Sequence, residues 1–160
     1  MTNKRKYKVA LFPCKANPPH VGHIISLLRI KKDYDKIIID ILDKDQLIPV
    51  KKSISDLKEI FDNFPGKFDY STHKISYTKT KSLDNVPKCD VIVTGNRKVA
   101  RKFEKLGANV RVIDRVPVYR GRYIREAYIK GLKSSKKRSF SFEMMKKKLF
   151  IFRNRITKIN

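Results

Sequence analysis

The sequence predicts an α/β fold built on an open parallel sheet. Short apolar runs bounded by turn residues alternate with segments whose apolar residues recur every three or four positions. This alternation is typical of parallel strands that are joined through helices by right-handed crossovers. A chain of 160 residues is long enough to bury the core of one such domain.

Five apolar runs are predicted as strands, so we expect a sheet of about five strands. They cover residues 7–12, 36–42, 74–78, 90–94 and 110–113. The second run, KIIIDIL, is rich in β-branched residues, which favours a position inside the sheet rather than at its edge. In such sheets ligands bind beyond the carboxyl ends of the strands, where the strand order reverses.

Helical periodicity follows most of these runs and predicts the flanking helices. The helices are expected to begin near residues 20, 53, 98 and 123. The second of them has a hydroxyl capping signal, Ser53 with an acid three residues later. Gly107 after the third predicts a left-handed C-terminal cap. Residues 13–19, which hold three prolines, and residues 43–52 are predicted as loops.

The segment after residue 132 differs from the rest in composition. Residues 133–138 read KSSKKR, which predicts a basic hinge, and beyond it a helical apolar period faces a row of Lys and Arg. This C-terminal basic amphipathic helix either packs on the domain or forms a basic arm for nucleic acid or an acidic protein surface. We therefore divide the chain into an α/β domain, residues 1–132, and a basic hinge and helix, residues 133–160.

The formal net charge of +24 indicates an anionic partner. A charge of this size repels itself unless anions are near, and nucleotide phosphates need only a few cations. The remainder favours RNA, DNA or another polyanion. The alternative is a solvated, lysine-rich surface that reflects codon usage.

Composition also argues against other classes of protein. No apolar run is long enough to span a bilayer, and the short apolar run near the N-terminus does not fit the core of a signal peptide. We therefore expect a cytoplasmic protein without membrane partners. The two cysteines, Cys14 and Cys89, form neither a disulfide framework nor a zinc site. We interpret them as small buried apolar residues.

The chemistry is expected in the segment that joins the first strand to the first helix. A helix N-terminus presents unpaired N–H groups and a partial positive charge, which attract phosphate. Gly22 allows the backbone to approach a ligand closely. His20 and His23, three residues apart on the first turn, can direct both imidazoles to one point. Zinc is not expected, because the only other histidine is His73 and further ligands are needed.

Three segments carry a family resemblance. Residues 11–23, LFPCKANPPHVGH, resemble the first signature of the HxGH nucleotidyltransferase superfamily. Residues 119–125, YRGRYIR, resemble its second signature, a Ser/Thr-rich run that ends in Ile-Arg. Residues 90–96, DVIVTGN, resemble the adenine-side loop of the archaeal-type nicotinamide mononucleotide (NMN) adenylyltransferases. The segments occur in the family's order, so the resemblance implies a Rossmann-like fold.

The resemblance implies transfer of an adenylyl group from ATP to a phosphorylated acceptor, with NMN giving NAD and pyrophosphate released. His20, His23 and Arg125 would be catalytic, the histidines at the α- and β-phosphates and the arginine at the β- and γ-phosphates. The remaining implied nucleotide and phosphate contacts are Lys15, Asn17, Gly22, Gly95, Asn96, Arg120 and Arg122. Mg²⁺ would accompany ATP with few protein ligands, and no metal site of the protein itself is expected.

The chain departs from these signatures at several positions. Cys14 stands where the first signature has glycine, and Arg120, Gly121 and Arg122 replace the hydroxyl residues of the second. An alternative function follows, a degenerate nucleotidyltransferase fold that serves as a nucleic-acid or protein binding module. A fragment of a class I aminoacyl-tRNA synthetase is disfavoured by length and by the lack of a Lys-Met-Ser-Lys-Ser-like loop. The identity of the acceptor and the oligomeric state do not follow from these residues.

Overall fold

Five parallel strands and three α-helices alternate in a computed structural model that describes residues 7–116 and Glu126. The strands are β1 (Val9–Cys14), β2 (Lys36–Leu42), β3 (Phe68–His73), β4 (Val91–Thr94) and β5 (Val110–Val112). The helices are α1 (Val21–Ile30), α2 (Val50–Phe61) and α3 (Arg97–Lys105), and a 3₁₀ turn (Tyr77–Lys79) follows β3. The predicted α/β class with a five-stranded parallel sheet is confirmed.

The strand order is β3-β2-β1-β4-β5, which places β1 at the centre. From β1 the chain builds outward to β3 on one side, then crosses back to add β4 and β5 on the other. The pairing of β1 with β2 runs from Val9↔Lys36 to Cys14↔Ile41, whereas β1 pairs with β4 only at Ala10↔Val91 and Leu11↔Ile92. The sheet therefore opens between the carboxyl ends of β1 and β4, where the strand order reverses.

Two apolar cores cover the two faces of the sheet, as helical and strand periodicities require. On one face α1 and α2 bury residues such as Leu27 and Leu57 against β1 and β2. On the other face α3 and the 3₁₀ turn bury Phe103 and Tyr77 against Leu11 and its neighbours. The two helical layers enclose the central strands, which accounts for the continuous apolar runs of β1 and β2.

Local capping signals place α3 where the sequence predicts it. The Asn96 side chain accepts the backbone N–H of Lys98 at 3.0 Å and caps the first turn. Gly107 has φ +84° directly after the helix, so the predicted left-handed conformation is confirmed. Strand β2 likewise occupies residues 36–42 as predicted.

Three predicted boundaries are wrong. The third strand is not at residues 74–78 but at Phe68–His73, where polar residues alternate at the edge of the sheet and weaken the apolar signal. Helix α2 begins three residues before the predicted cap, after Pro49, so Ser53 is buried inside the helix. β1 continues to Cys14 and includes Pro13, because an extended strand accepts the proline φ and loses only one donor.

Several predicted features lie outside the described residues. These are the hinge at 133–138, the C-terminal helix and almost all of the helix at 123–132, of which only Glu126 is described, in helical conformation. The division of the chain at residue 132 therefore stays a prediction. Among the described helices, none is both long enough and apolar enough to cross a membrane.

Candidate functional site

A cavity of about 850 Å³ opens at the gap between the carboxyl ends of β1 and β4. The end of β1, the first turn of α1, the 3₁₀ turn, the start of α3 and the segment after β5 all contribute to its wall. The lining residues that bear on function are Cys14, Lys15, His20, Gly22, His23, Ser26, Ser76, Tyr77, Thr78, Thr94, Gly95, Asn96, Asp114 and Arg115. The cavity thus occupies the place where open α/β sheets bind their ligands.

The rings of the two histidines are in contact and tilted to each other at the N-terminus of α1. Their ring centroids are 3.8 Å apart, with 34° between the ring planes. His20 is the N-cap residue, and its Nδ1 accepts the backbone N–H of Gly22 at 3.1 Å. In return, the Nδ1 of His23 accepts the backbone N–H of His20 at 3.4 Å. This reciprocal pair is a capping box in which histidines take the parts usually played by Ser or Thr and Glu.

The capping box decides which ring nitrogens carry protons. A nitrogen that accepts a backbone hydrogen bond must be unprotonated, so in the neutral rings the proton of both His20 and His23 lies on Nε2. Both residues line the cavity. Two N–H donors and the positive end of the α1 dipole therefore come together at one place, which suits an anionic ligand such as phosphate.

Gly95 and Asn96 form the opposite wall, at the end of β4. A Cβ at Gly95 would lie 3.1 Å from Cγ of Arg115, so a side chain there would displace the arginine. The Nε of Arg115 donates to the Gly95 carbonyl at 2.6 Å, which holds the segment after β5 against the cavity. The wall is consequently backbone-rich and narrow at Gly95, with a guanidinium at its rim.

A buried polar cluster supports the 3₁₀ turn from below the cavity. The Tyr77 hydroxyl donates to the Asp40 carbonyl at 2.6 Å, and the Tyr77 ring stacks on His73 with centroids 5.0 Å apart. The Ser71 hydroxyl donates to Oδ1 of Asp40 at 2.7 Å, while within the described part of the chain Oδ2 has no hydrogen-bond partner. Burial raises the pKa of Asp40, and the Ser71 hydrogen bond opposes that shift.

Cys14 lines the cavity but is not arranged as a nucleophile. Burial is the main cause that raises the pKa of its thiol, and the nearby Asp40 carboxylate raises it further. Nucleophilic and metal-binding cysteines react as thiolates, so this protonated thiol acts as a small apolar side chain. That agrees with the interpretation of Cys14 as a buried apolar residue.

The structure brings six of the sequence-predicted site residues to this cavity, namely Lys15, His20, Gly22, His23, Gly95 and Asn96. Asn17 does not line it. Its Oδ1 accepts the backbone N–H of Leu47 at 2.6 Å and of Ile48 at 3.2 Å, and its Nδ2 donates to the Ile48 carbonyl at 2.7 Å. Asn17 is therefore engaged in holding the loop between β2 and α2. Arg120, Arg122 and Arg125 lie outside the described residues.

Sequence reasoning missed two parts of the cavity wall. The 3₁₀ turn contributes Ser76, Tyr77 and Thr78, and the segment after β5 contributes Asp114 and Arg115. The sequence does contain a signal for the 3₁₀ turn. When β3 is placed at residues 68–73, the hydroxyl-bearing residues 76–78 follow the carboxyl end of a strand. In residues 7–116, no three His, Cys, Asp or Glu side chains are grouped so that they could hold a metal ion.

The comparisons with known proteins agree with this fold. No family model and no curated protein matches the sequence. Among solved structures, a bifunctional NMN adenylyltransferase/ADP-ribose pyrophosphatase from Francisella tularensis matches with TM-score 0.62 and 12% identity, over 78% of this chain and 43% of that chain. A second such structure, complexed with AMP and a Mn ion, matches with TM-score 0.58 and 13% identity, over 78% and 42%.

These likenesses lie in the fold, and they support its Rossmann-like description. The chain spans less than half the length of the solved structures it matches. The matched protein is a bifunctional NMN adenylyltransferase/ADP-ribose pyrophosphatase, and what this chain shares with it is the fold.

Proposed function

We propose that this chain is an HxGH-type nucleotidyltransferase that transfers an adenylyl group from ATP to a phosphorylated acceptor and releases pyrophosphate. NMN, which would give NAD, is the acceptor we favour. The observation that carries the proposal is the pair of histidines in ring contact, His20 and His23, at a helix N-terminus in the cavity where the strand order reverses. The fold shared with NMN adenylyltransferases supports it.

The proposed reaction is a displacement at phosphorus. An oxygen of the acceptor phosphate forms a bond to the α-phosphorus of ATP, and the bond from that phosphorus to the bridging oxygen of the β-phosphate breaks. Pyrophosphate leaves with the electron pair. Such transfers depend on positioning and on stabilisation of negative charge rather than on a covalent intermediate with the protein.

The residues of the cavity would supply that stabilisation. The Nε2–H groups of His20 and His23 donate to oxygens around the α- and β-phosphates, where charge develops. Gly22 brings its backbone close to the same phosphates, and Lys15 adds a positive charge at the end of β1. All of these groups are held by the capping box and the sheet, so little reorganisation is needed when the substrate binds.

The base and the outer phosphates are assigned to other segments. Gly95 and Asn96, which line the cavity at the end of β4, would lie against the adenine, as the resemblance of residues 90–96 to an adenine-side loop implies. Arg125 would bind the β- and γ-phosphates through its guanidinium group, and Arg120 and Arg122 would add further phosphate contacts, as the resemblance to the second signature implies.

Mg²⁺ would bind mainly to the triphosphate. The described residues offer one carboxylate, Asp114, in the cavity wall and no cluster of metal ligands, which fits a cation that keeps water and phosphate oxygens as ligands. When bound, the ion would neutralise charge on the β- and γ-phosphates. The protein itself would contribute the Nε2–H groups of His20 and His23 and the positive charge of Lys15.

The test is the release of pyrophosphate. Purified protein is incubated with Mg²⁺, with ATP or CTP, and with NMN or another phosphorylated acceptor: phosphopantetheine, flavin mononucleotide or an alcohol phosphate. We expect release with ATP and NMN. His23→Ala should reduce turnover by about a hundredfold or more, since a preorganised donor is lost, and circular dichroism should show an intact fold. Lys51→Gln, an exposed change on α2 outside the cavity, is the control.

Two outcomes would contradict the proposal. Full turnover in His23→Ala would mean that the reacting phosphates lie elsewhere. Binding of ATP without pyrophosphate release from any acceptor would favour the degenerate binding module instead.

A further inference from the structure

The exposed side of α3 carries a dense row of positive charge. Five of the nine residues of this helix are basic and one is acidic, Glu104. Val99, Ala100 and Phe103 turn toward the sheet, so the cations are left on the outer side. We call this set the α3 stripe: Arg97, Lys98, Arg101, Lys102 and Lys105.

Within residues 7–116 no residue of the α3 stripe forms an ion pair, and Glu104 is the one acid in the helix. The ion pairs found there join Lys36 to Asp69, Lys52 to Asp56 and Arg111 to Asp33, and none includes a residue of the stripe. Within the stripe, Arg97, Arg101 and Lys105 follow each other at four-residue spacing, where like charges repel. Arg97 and Lys98 also stand in the first turn, against the helix dipole. The arrangement costs stability in the free protein and would gain from an external polyanion.

The number of cations along the α3 stripe can be compared with the number of phosphates along different nucleic acids. Eight residue steps at about 1.5 Å each give the stripe a length of about 12 Å. Over that length duplex DNA presents about seven phosphates and a single strand about three or four. Five cations exceed what one strand offers and fall within what a duplex offers. The charge density therefore matches a double-stranded nucleic acid.

The α3 stripe lacks the amide and hydroxyl side chains that read most bases. Its one aromatic neighbour in α3, Phe103, is fully buried in the core. Proteins that bind single strands without sequence preference stack bases on exposed aromatic rings, and α3 offers none. Lys and Arg bind phosphates whatever the base sequence, and the only base edge they commonly read is that of guanine; a row of cations without amide or hydroxyl side chains therefore favours contacts to the backbone.

We propose that the α3 stripe binds the phosphate backbones of double-stranded DNA without sequence preference. This goes beyond nucleotidyl transfer, since the stripe lies on the outer side of α3 whereas the cavity begins at its capping residue, Asn96. Binding requires neither ATP nor turnover. The failure of one proposal therefore leaves the other standing.

The test compares two variants of equal net charge. In the stripe variant Arg97, Arg101 and Lys105 are changed to Gln. In the control variant Arg29, Lys32 and Lys51 are changed to Gln; these exposed residues belong to or follow α1 and α2, on the other face of the sheet. Glutamine is a good helix former, and thermal melts confirm that both variants fold.

Binding is measured by fluorescence anisotropy with the full chain, without ATP, on two unrelated 20-base-pair DNA duplexes over a range of salt concentrations. We expect similar affinities for the two duplexes. In the stripe variant the magnitude of the slope of log affinity against log salt concentration should fall by about 2 to 3. The reason is that three cations are removed and each phosphate contact contributes about 0.9. The control variant should keep the wild-type slope to within about 1.

Four results would overturn the proposal. They are an equal loss of slope in both variants, tighter binding to the single strand than to the duplex, a strong preference for one duplex sequence, and equal binding to polyglutamate. The same measurement is made with a double-stranded RNA of equal length. If the protein binds that RNA more tightly than the DNA, DNA is rejected as the partner.

Discussion

The two ring nitrogens of His20 can be separated by substitution. Nδ1 accepts the Gly22 N–H at 3.1 Å and caps α1, whereas Nε2 is the atom assigned to the phosphates. In asparagine the side-chain oxygen occupies the δ position and makes a good helix cap, but no atom reaches the ε position. His20→Asn therefore keeps the cap and removes the phosphate donor, while His20→Ala removes both.

The expected magnitudes differ for stability and for turnover. His20 is only 6% exposed, and both variants lose its buried imidazole. The difference in free energy of unfolding between the two variants therefore measures the helix cap. Loss of a side-chain N-cap costs about 1 kcal/mol, so His20→Asn should be more stable than His20→Ala by about that amount. Both should lose about 10²- to 10³-fold in turnover, which corresponds to about 2.7–4 kcal/mol of the barrier.

Urea unfolding followed by circular dichroism measures the first quantity, and pyrophosphate release with ATP and NMN measures the second. His20→Gln is the complementary variant, because its amide nitrogen reaches the ε position without capping the helix. We expect it to recover part of the turnover at the stability of His20→Ala. Wild-type turnover in His20→Asn would refute the assignment of Nε2, and equal stability of the Asn and Ala variants would refute the cap.

Two further predictions concern groups beside the cavity. Because burial raises the pKa of Asp40 above 3.8, the folded chain keeps this proton at pH values where the unfolded chain has lost it, and stability falls as pH rises through that interval. In Asp40→Asn that fall is absent, so the stability of the variant relative to wild type should increase as the pH rises above the ordinary aspartate pKa in urea titrations; a constant difference would contradict it. Asn17→Ala leaves the backbone of Leu47 and Ile48 without partners and should destabilise the fold by about 2–3 kcal/mol, measured by urea unfolding. A loss below about 0.5 kcal/mol would mean that water replaces the amide.

Elements whose local signals agree with their tertiary setting were predictable from the sequence. β2 lies inside the sheet, so its residues are apolar except Lys36 at its start and Asp40, and α3 has an asparagine cap and a terminal glycine. β3 was not predictable in the same way. Its residues FDYSTH owe their extended conformation to pairing with β2 along the edge of the sheet, and that pairing leaves little trace in the composition of the segment.

The candidate site likewise contains residues that the sequence could predict and residues that it could not. His20, Gly22 and His23 belong to one helix turn, so their spacing alone brings them together. Asn17 stands three residues away in an irregular loop, where no periodicity says which way a side chain turns, and it turns to the loop before α2. The 3₁₀ turn reaches the cavity through a contact between Tyr77 and Asp40, which are 37 residues apart in sequence.

The capping box links the stability of α1 to the chemistry proposed for it. A serine or aspartate at position 20 would be a better helix cap, but it would present no donor beyond the cap. Histidine has two nitrogens on opposite sides of one rigid ring, so the hydrogen bond at Nδ1 fixes both the orientation of the ring and the proton on Nε2. With His23 held in the same way at 3.4 Å, folding of the helix itself prepares two aligned donors before any nucleotide arrives. Preorganisation of this kind explains why a pair of histidines, rather than the better helix caps, suits this turn.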